Sequence, residues 1–486
     1  MAYRDVFASD LAVPEGFTLG AATAAYQIEG AAAVDGRGPS IWDTFSHTAG
    51  MTAEGATGDV AADHYHHVSD DLDLMASLHL DAYRFSISWS RVVPHGEGPV
   101  NPAGLAFYSN LIDGLLQRGI SPVVTLNHWD LPQTLEDKYG GWRGRETAYA
   151  FERYAEIVGA AFGDRVDIWS THNEPWNNSF AGYGHGVFAP GVKSHEDALK
   201  AAHHLNLAHG LAVTALRRTI TKADAKVSIV LNIFRVEAET PDDADAARRF
   251  DAVANRVFTG PVLDGAYPGD LLEDTKHFTD WQFVLPGDEA ICHQPIDLLG
   301  INYYEVMHFR ARPGFDPKLE QSGGTEFPGS ERVELFRPDG SPRTAMDWTV
   351  EPGGLEEHLV ALSSQYPDLP IMVMENGAAF DDEVTQIDGE PAVVDGERTQ
   401  FLIDHVKATL RARERGARVD GYLVWSLLDN FEWAAGYGPR FGIVRVDYDT
   451  LRRTPKLSAH WFGQLCRTRT VPLLGDSAER LVDLRT

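Results

Sequence analysis

Two cysteines in 486 residues are too few for a disulfide framework. Cys292 and Cys466 are therefore expected as free thiols in a reducing compartment. No run of eighteen or more apolar residues occurs, so a membrane-spanning helix is not expected. Basic residues are in short supply. Lys and Arg number 42 against 71 Asp and Glu, which leaves a net charge of −29. A chain that acidic is repelled by phosphate backbones, and this argues against nucleic acid as a partner. The first ten residues carry no apolar h-region, so no signal peptide is read there and a cytoplasmic location is expected. The sequon Asn177-Asn-Ser179 is then a chance match. Low-complexity runs, solenoid repeats and linkers are also missing. One domain spanning residues 1–486 is the expectation, since α/β barrels run long as single units.

What is present is an alternation. Short apolar runs read as strands at Phe17–Thr23, Tyr83–Trp89, Pro122–Leu126, Val166–Thr171, Lys226–Asn232, Ile296–Ile301, Ile371–Met374 and Val419–Trp425. Between them lie stretches with apolar residues three or four apart. Ala61–Leu80, with Tyr65, Val68, Leu72 and Met75, is the first. Leu105–Gln117, Phe151–Phe162, Ala198–Leu216, Ala244–Val257, Leu355–Tyr366 and Thr399–Arg415 follow. Strands alternating with helices imply right-handed βαβ units, an α/β class and a parallel sheet. Eight of them imply a closed (β/α)8 TIM barrel. A doubly wound open sheet is disfavoured, because no Gly-rich phosphate turn follows the first strand. The longest polar insertion, about residues 310–344, follows the sixth strand and is expected to overhang the barrel mouth with other long strand-to-helix loops.

The chemistry-bearing residues fall at the strand ends. Glu174 closes Ser170-Thr-His-Asn-Glu-Pro175, and Glu375 closes Ile371-Met-Val-Met-Glu375 ahead of Asn376-Gly377. Carboxyls paired at the C-terminal mouth of a barrel suit glycosidic bond cleavage. One acid protonates the leaving oxygen while the other stabilises or attacks the anomeric carbon. Gln27, His128, Trp129, Asn173, Asn302, Tyr304, Trp425, Glu432 and Trp433 occupy other strand ends. Indole faces stack on pyranose C–H faces, and amides, imidazole and carboxylates take hydroxyls. Blander readings exist. A Glu before Asn-Gly can be a surface turn, although the company of the other populated strand ends argues against it. His64, His66 and His67, and the pair His203-His204, are read as helix residues, because no Cys or Asp set matches them as metal ligands. Most of the eleven Trp are read as core.

Thr171-His-Asn-Glu-Pro175, Asn302-Tyr-Tyr304, Glu375-Asn-Gly377 and Asp429-Asn-Phe-Glu-Trp433 resemble the signatures of glycoside hydrolase family 1, typified by bacterial β-glucosidases. The likeness runs from Phe17 to Trp461. It implies that Glu174 is the general acid/base and Glu375 the nucleophile of a retaining double displacement. It further implies that Gln27, His128, Asn173, Asn302, Glu432 and Trp433 hold the glycone over a Trp425 platform. Tyr304 would hydrogen-bond the nucleophile and Arg84 would sit beneath it. Trp348 would line the aglycone side, and Phe441 would help close the sugar pocket. Arg84 and Tyr304 are expected to keep the carboxyl of Glu375 low, and the charge of Glu375 to raise Glu174. Two departures stand out. Met374 replaces a Thr common in the family, and strand alternation would point it away from Glu375 toward the helices. His172 stands where an apolar residue is common, on the side opposite Asn173.

The implied substrates are small carbohydrates: cellobiose-like disaccharides and aryl β-glucosides, with β-galactosides and β-fucosides as further candidates. No cofactor is implied, because two carboxylates suffice. A 6-phospho-β-glycosidase is disfavoured, since Glu432 would face the phosphate and residues 434–440 contain no Ser or Lys. A non-catalytic sugar-binding protein is disfavoured by the presence of both acids. An inverting barrel hydrolase is left to be separated by the anomer first released.

Overall fold

Eight parallel strands hydrogen-bond in a closed ring. In chain order they are β1 (Thr18–Ala22), β2 (Ala82–Ser86), β3 (Ser121–Asn127), β4 (Ile168–Asn173), β5 (Lys226–Leu231), β6 (Leu298–Asn302), β7 (Ile371–Asn376) and β8 (Val419–Trp425). The computed structural model describes residues 11–311, 327–330, 333–387 and 389–472. β1 closes the barrel by pairing with β2 through Gly20 and Ala82, and with β8 through Ala22 and Trp425. Gly20 is required there, because a Cβ would sit 2.2 Å from the Ala82 carbonyl oxygen.

The helical layer comprises α1 (His64–Ser77), α2 (Pro102–Gln117), α3 (Arg145–Phe162), α4 (His195–Thr219), α5 (Ala244–Asp251), α6 (Pro352–Gln365), α7 (Gly396–Glu414) and α8 (Leu457–Thr468). Local chemistry starts and stops these helices. Asn101 accepts from the Ala103 backbone N–H at 3.2 Å ahead of Pro102, and Gly119, with φ +72°, follows the end of α2. Ser194 caps α4 at Asp197 N–H. Glu196 and Asp197 open that helix and Arg217 and Arg218 close it, in the order the helix dipole favours. The expected helix over 244–257 begins as α5 and runs on through π-helical turns to Asp264.

The barrel is filled by Ala22, Ala82, Val123, Val230, Leu298, Met372, Met374 and Leu423, all essentially without exposure. Ile371 and Val373 instead join the larger core between barrel and helices. This corrects the expectation for Met374. A register shift between Val373 and Glu375, opposite Ile301 and Asn302, interrupts the two-residue period of β7. Met374 therefore packs inside the barrel beneath Glu375 and does not face the helices. A second correction concerns the expected strand Tyr83–Trp89. β2 ends at Ser86, and Trp89–Val92 forms a helical turn.

Val333–Phe336, within the long insertion, pairs with Val306–Ala311, which pairs in turn with Arg235–Ala238. This small sheet flanks the mouth. Residues 312–326 and 331–332 of the insertion lie outside the described residues. The histidine groups have protein partners. His64 Nδ1 lies 2.7 Å from Asp71, His203 bridges Tyr267 and Asp288, and His204 meets the Trp142 carbonyl. Among the described residues no group of three or more His, Cys, Asp or Glu is arranged to hold a metal. No helix among them is long and apolar enough to cross a membrane.

Candidate active site

β4 delivers Asn173 and Glu174 to the mouth through a second irregularity. Its register with β5 shifts between Ser170 and Asn173, and Glu174 N–H donates to the Val230 carbonyl at 2.9 Å. Glu174 then adopts φ +43°, as Trp129 does at +76° and Trp433 at +51°. Left-handed backbone costs a non-glycine residue about 1–3 kcal/mol and concentrates at functional sites. Trp129 helps to hold this turn, because its indole N–H donates to the Asn173 carbonyl at 2.8 Å.

The two carboxyls share one hydrogen-bonded chain. Asn302 Nδ2 donates to Glu174 Oε1 at 2.7 Å and to Asn173 Oδ1 at 3.0 Å. Arg84 donates to Asn173 Oδ1 at 2.7 Å and to Glu375 Oε1 at 2.6 Å. Tyr304 donates to Glu375 Oε2 at 2.8 Å. Thr125 fixes the remaining edge of the guanidinium at 3.1 Å. Gly377, just beyond Glu375, lies so close to β8 that a Cβ would sit 1.7 Å from the Trp425 carbonyl oxygen.

Electrostatics separate the acids. Burial pushes Glu174 up, the charge of Glu375 adds to the shift, and Asn302, Arg84 and Asn177 oppose it; the net position is about 8. Burial also raises Glu375, against Arg84, Tyr304 and Asn302. The expected low position of that carboxyl is therefore not met, because burial outweighs its cation. Glu375 still ionises first, since its charge is part of what holds the proton on Glu174. Glu432 is likewise pushed up to about 8 by burial and then by Glu375. His128 falls well below the ordinary imidazole range through burial and Arg84, and is neutral.

A cavity of about 480 Å³ opens over these groups. Of the residues expected from sequence, His128, Trp129, Glu174, Asn302, Tyr304, Trp348, Glu375, Trp425, Glu432, Trp433 and Phe441 line it. Gln27, Asn173 and Arg84 stand behind the lining. Gln27 Nε2 donates to Asn430 Oδ1 and the Phe431 carbonyl, both at 2.9 Å. Asn173 Nδ2 meets His128 Nε2 at 3.1 Å. Among the buried polar atoms without a protein partner, four belong to residues named above: Gln27 Oε1, His128 Nδ1, Asn302 Oδ1 and Glu432 Oε2. Buried polar atoms are normally paired, and a polyhydroxylated ring would supply those partners. Around them Trp129 and Trp433 pack at 4.6 Å, His128 lies nearly parallel to Trp425 at 5.8 Å, and Trp348 sits 5.2 Å from Tyr304 and 5.8 Å from Phe441.

Sequence reading missed Asn177, which donates to Glu174 Oε2 from three residues on. It also missed Trp176, Phe234, Leu335 and Met346 on the outer wall, and the pair of Arg337 with Glu305 at 3.0 Å. The three-residue spacing to Glu174 was the available signal for Asn177; the wall residues come from loops that converge only in three dimensions. His172 now has an account. It stacks on Phe151 at 4.7 Å, accepts from Asn127 at 3.0 Å and is kept neutral by burial on the helix side of β4.

Paired carboxyls in an aromatic-walled mouth of a closed parallel barrel define a class, the (β/α)8 glycoside hydrolases. The family model described as glycosyl hydrolase family 1 matches residues 10–471. The chain belongs to glycosyl hydrolase family 1. A bifunctional β-D-glucosidase/β-D-fucosidase of Bifidobacterium breve is 48% identical over 92% of this chain and 97% of its own. A thermostable β-glucosidase B of Thermobispora bispora is 46% identical, over 95% and 92%. Among solved structures, a psychrophilic β-glucosidase of Micrococcus antarcticus superposes with a TM-score of 0.89 at 45% identity, covering 94% of this chain and 98% of the other. A Thermotoga maritima β-glucosidase in complex with glucoimidazole superposes at 0.86 with 41% identity, over 94% and 99%.

Proposed function

We propose that this protein is a retaining β-glucosidase that releases terminal non-reducing β-D-glucosyl residues from cellobiose-like or aryl β-glucosides. The relative that is named a β-glucosidase/β-fucosidase supports β-fucosides as additional substrates, and β-galactosides are the third glycone to rank. One catalytic domain spans residues 1–486, and it works in the cytoplasm. The observation that carries the reading is the unequal pair: Glu174 holds its proton to about 8 while Glu375 sits on Arg84.

In the first step Glu375 attacks the anomeric carbon as Glu174 gives its proton to the glycosidic oxygen. The aglycone leaves as a neutral alcohol, and a glycosyl ester forms on Glu375. Esterification removes the charge that held the proton on Glu174. Glu174 then ionises readily and takes a proton from water as that water attacks the same carbon. The product keeps the β configuration. In this reading Gln27, His128, Asn173, Asn302, Glu432 and Trp433 hold the glycone, Trp425 is its platform, and Phe441 closes the pocket. Trp348 lies on the aglycone side. Trp129 acts on Asn173 through its N–H.

A 6-phosphorylated glycone fits poorly. Glu432 would face the phosphate, and the one cation in residues 434–440, Arg440, is committed to Asp429 at 2.7 Å, so a phosphate finds no counter-charge there. The test is the initial rate of 4-nitrophenol release from the β-glucoside, β-fucoside, β-galactoside and β-glucoside 6-phosphate near pH 6.5. Proton NMR of the first sugar released accompanies it. Turnover of the unphosphorylated glucoside with β-glucose appearing first is expected. Faster turnover of the phosphate, or α-glucose first, would overturn the reading.

A further inference from the structure

The stretch Asp429-Asn-Phe-Glu-Trp433 holds an acid that the chemistry above does not use. Asp429 has no exposure. Lys456, equally buried just ahead of α8, places its Nζ 2.7 Å from Asp429 Oδ1 and 2.5 Å from Asp382 Oδ2. These two acids belong to different loops. Asp382 lies in the loop that leaves β7 after Glu375. Asp429 lies in the loop that leaves β8 and carries Glu432, Trp433 and Phe441.

The surroundings make Lys456 the tie between those loops. On the β8 side Asp429 also accepts from Arg440 at 2.7 Å and from the Gly442 backbone N–H at 3.0 Å, one residue on either side of Phe441. On the β7 side Arg398 of α7 pairs with Asp382 at 2.9 Å and with Asp395, and donates to the Ala378 carbonyl at 3.2 Å and the Arg440 carbonyl at 2.6 Å. Ser458 holds Asp395 from α8. Three carboxylates, Asp382, Asp395 and Asp429, thus face three cations, Arg398, Arg440 and Lys456. Buried ions are tolerated only when paired, and removing one partner leaves an uncompensated charge.

We infer that Lys456 is a positioning residue for glycone recognition, whose ammonium clamps the loop bearing Glu432, Trp433 and Phe441 against the loop that follows Glu375. The inference rests on the proposed reading that this cavity holds the glycone. Without the ammonium, Asp382, Asp395 and Asp429 face only Arg398 and Arg440, so the dry cluster holds one carboxylate more than it has cations. At low pH the cluster takes up a proton and the loops stay together. As pH rises that proton is lost, and the surplus negative charge between the loops pushes them apart. The defect therefore grows with pH and appears in KM more than in kcat.

The experiment compares K456M and K456M/D382N with the unmodified chain, using 4-nitrophenyl β-glucoside at pH 5.5 and pH 8. Each KM is read relative to the unmodified enzyme at the same pH, so that the titration of Glu174 cancels. Hydrolysis by the unmodified chain checks the underlying reading separately. K456M is expected to show a relative KM about tenfold higher at pH 8 than at pH 5.5, with kcat changed by less than about threefold. The double variant removes the surplus carboxylate and is expected to lose that rise. A K456M relative KM that is flat between the two pH values would overturn the inference, whatever the melting temperature does. Persistence of the rise in the double variant would overturn it too. Should K456M fail to fold, D382N alone decides, since it keeps the lysine paired with Asp429 but cuts the tie to the Glu375 loop. A KM raised about threefold or more at unchanged kcat supports the inference, and an unchanged KM overturns it.

Discussion

Arg84 donates to Glu375 at 2.6 Å from a position with no solvent exposure, and it is the largest influence opposing the burial that raises that carboxyl. The same guanidinium holds Asn173 at 2.7 Å, so one side chain sets both the charge of the proposed nucleophile and the turn that presents Glu174. Removing one partner of a buried pair costs roughly 3–5 kcal/mol. R84M is expected to lose stability of that order and to lower kcat/KM by about 10²-fold or more. Glu375 works ionised, so a raised pKa moves the acid limb of the rate profile to higher pH. R84K restores the charge without the fork and should recover the limb but only part of the rate. A pH–rate profile of R84M with its acid limb in place would remove Arg84 from this role.

Glu174 gives the opposite limb. It must carry its proton to act as the acid, so kcat/KM is expected to fall as pH rises through about 8. The same shift is a statement about stability. An unfolded Glu ionises near 4.3, whereas the folded one holds its proton to about 8, so this residue costs stability progressively as pH rises between those values. E174Q should therefore melt higher than the unmodified protein at pH 7 and not at pH 4. Calorimetry at the two pH values checks it, and equal differences at both would contradict the raised carboxyl.

Much of this was legible in the residues. The eight apolar runs became the eight barrel strands because a buried parallel strand needs an unbroken apolar stretch, and six of them end in, or lead directly into, polar and aromatic residues of the mouth. Glu174, Glu375, Asn302 and Trp425 were found for that reason. What alternation could not reveal were the register shifts beside the two acids, at Ser170–Asn173 and Val373–Glu375. A bulge inserts a residue without changing composition, so the side assigned to Met374 came out reversed. The position of Glu375 was also misjudged, since the sequence displays its cation but not the depth of its burial. The Lys456 tie was hidden for a third reason: its three elements are remote in the chain, and only packing brings them together.

E375G separates the nucleophile from the rest of the site. Deleting the side chain leaves room at the anomeric carbon while Glu174 stays in place on Asn302 and Asn177. Hydrolysis of aryl β-glucosides should fall by roughly four orders of magnitude or more, the scale of losing a catalytic nucleophile. An α-glucosyl fluoride, already of inverted configuration, should then be transferred to an acceptor sugar with Glu174 as base. Thin-layer chromatography of the products checks it. Hydrolysis surviving near the original rate would take the nucleophile role from Glu375.

The inward position of Met374 has its own test. A methyl added at Gly300 on β6 would sit 2.8 Å from Val230 Cγ2, 2.9 Å from Met374 Cγ and 3.1 Å from the Ile229 carbonyl oxygen. Two of those neighbours are side chains within the barrel, and Met374 is the flexible one. G300A alone should cost about 1–3 kcal/mol by overpacking. M374A alone opens a cavity at a site with no exposure and should cost about 2–5 kcal/mol. In the double variant the added methyl enters the space the methionine leaves, so the combined loss should fall short of the sum by more than about 0.5 kcal/mol, the scatter expected of independent sites. Urea unfolding of the three variants measures that coupling. Strict additivity would mean that the two side chains do not meet, and would return Met374 to the outer face of β7, where unbroken alternation had placed it.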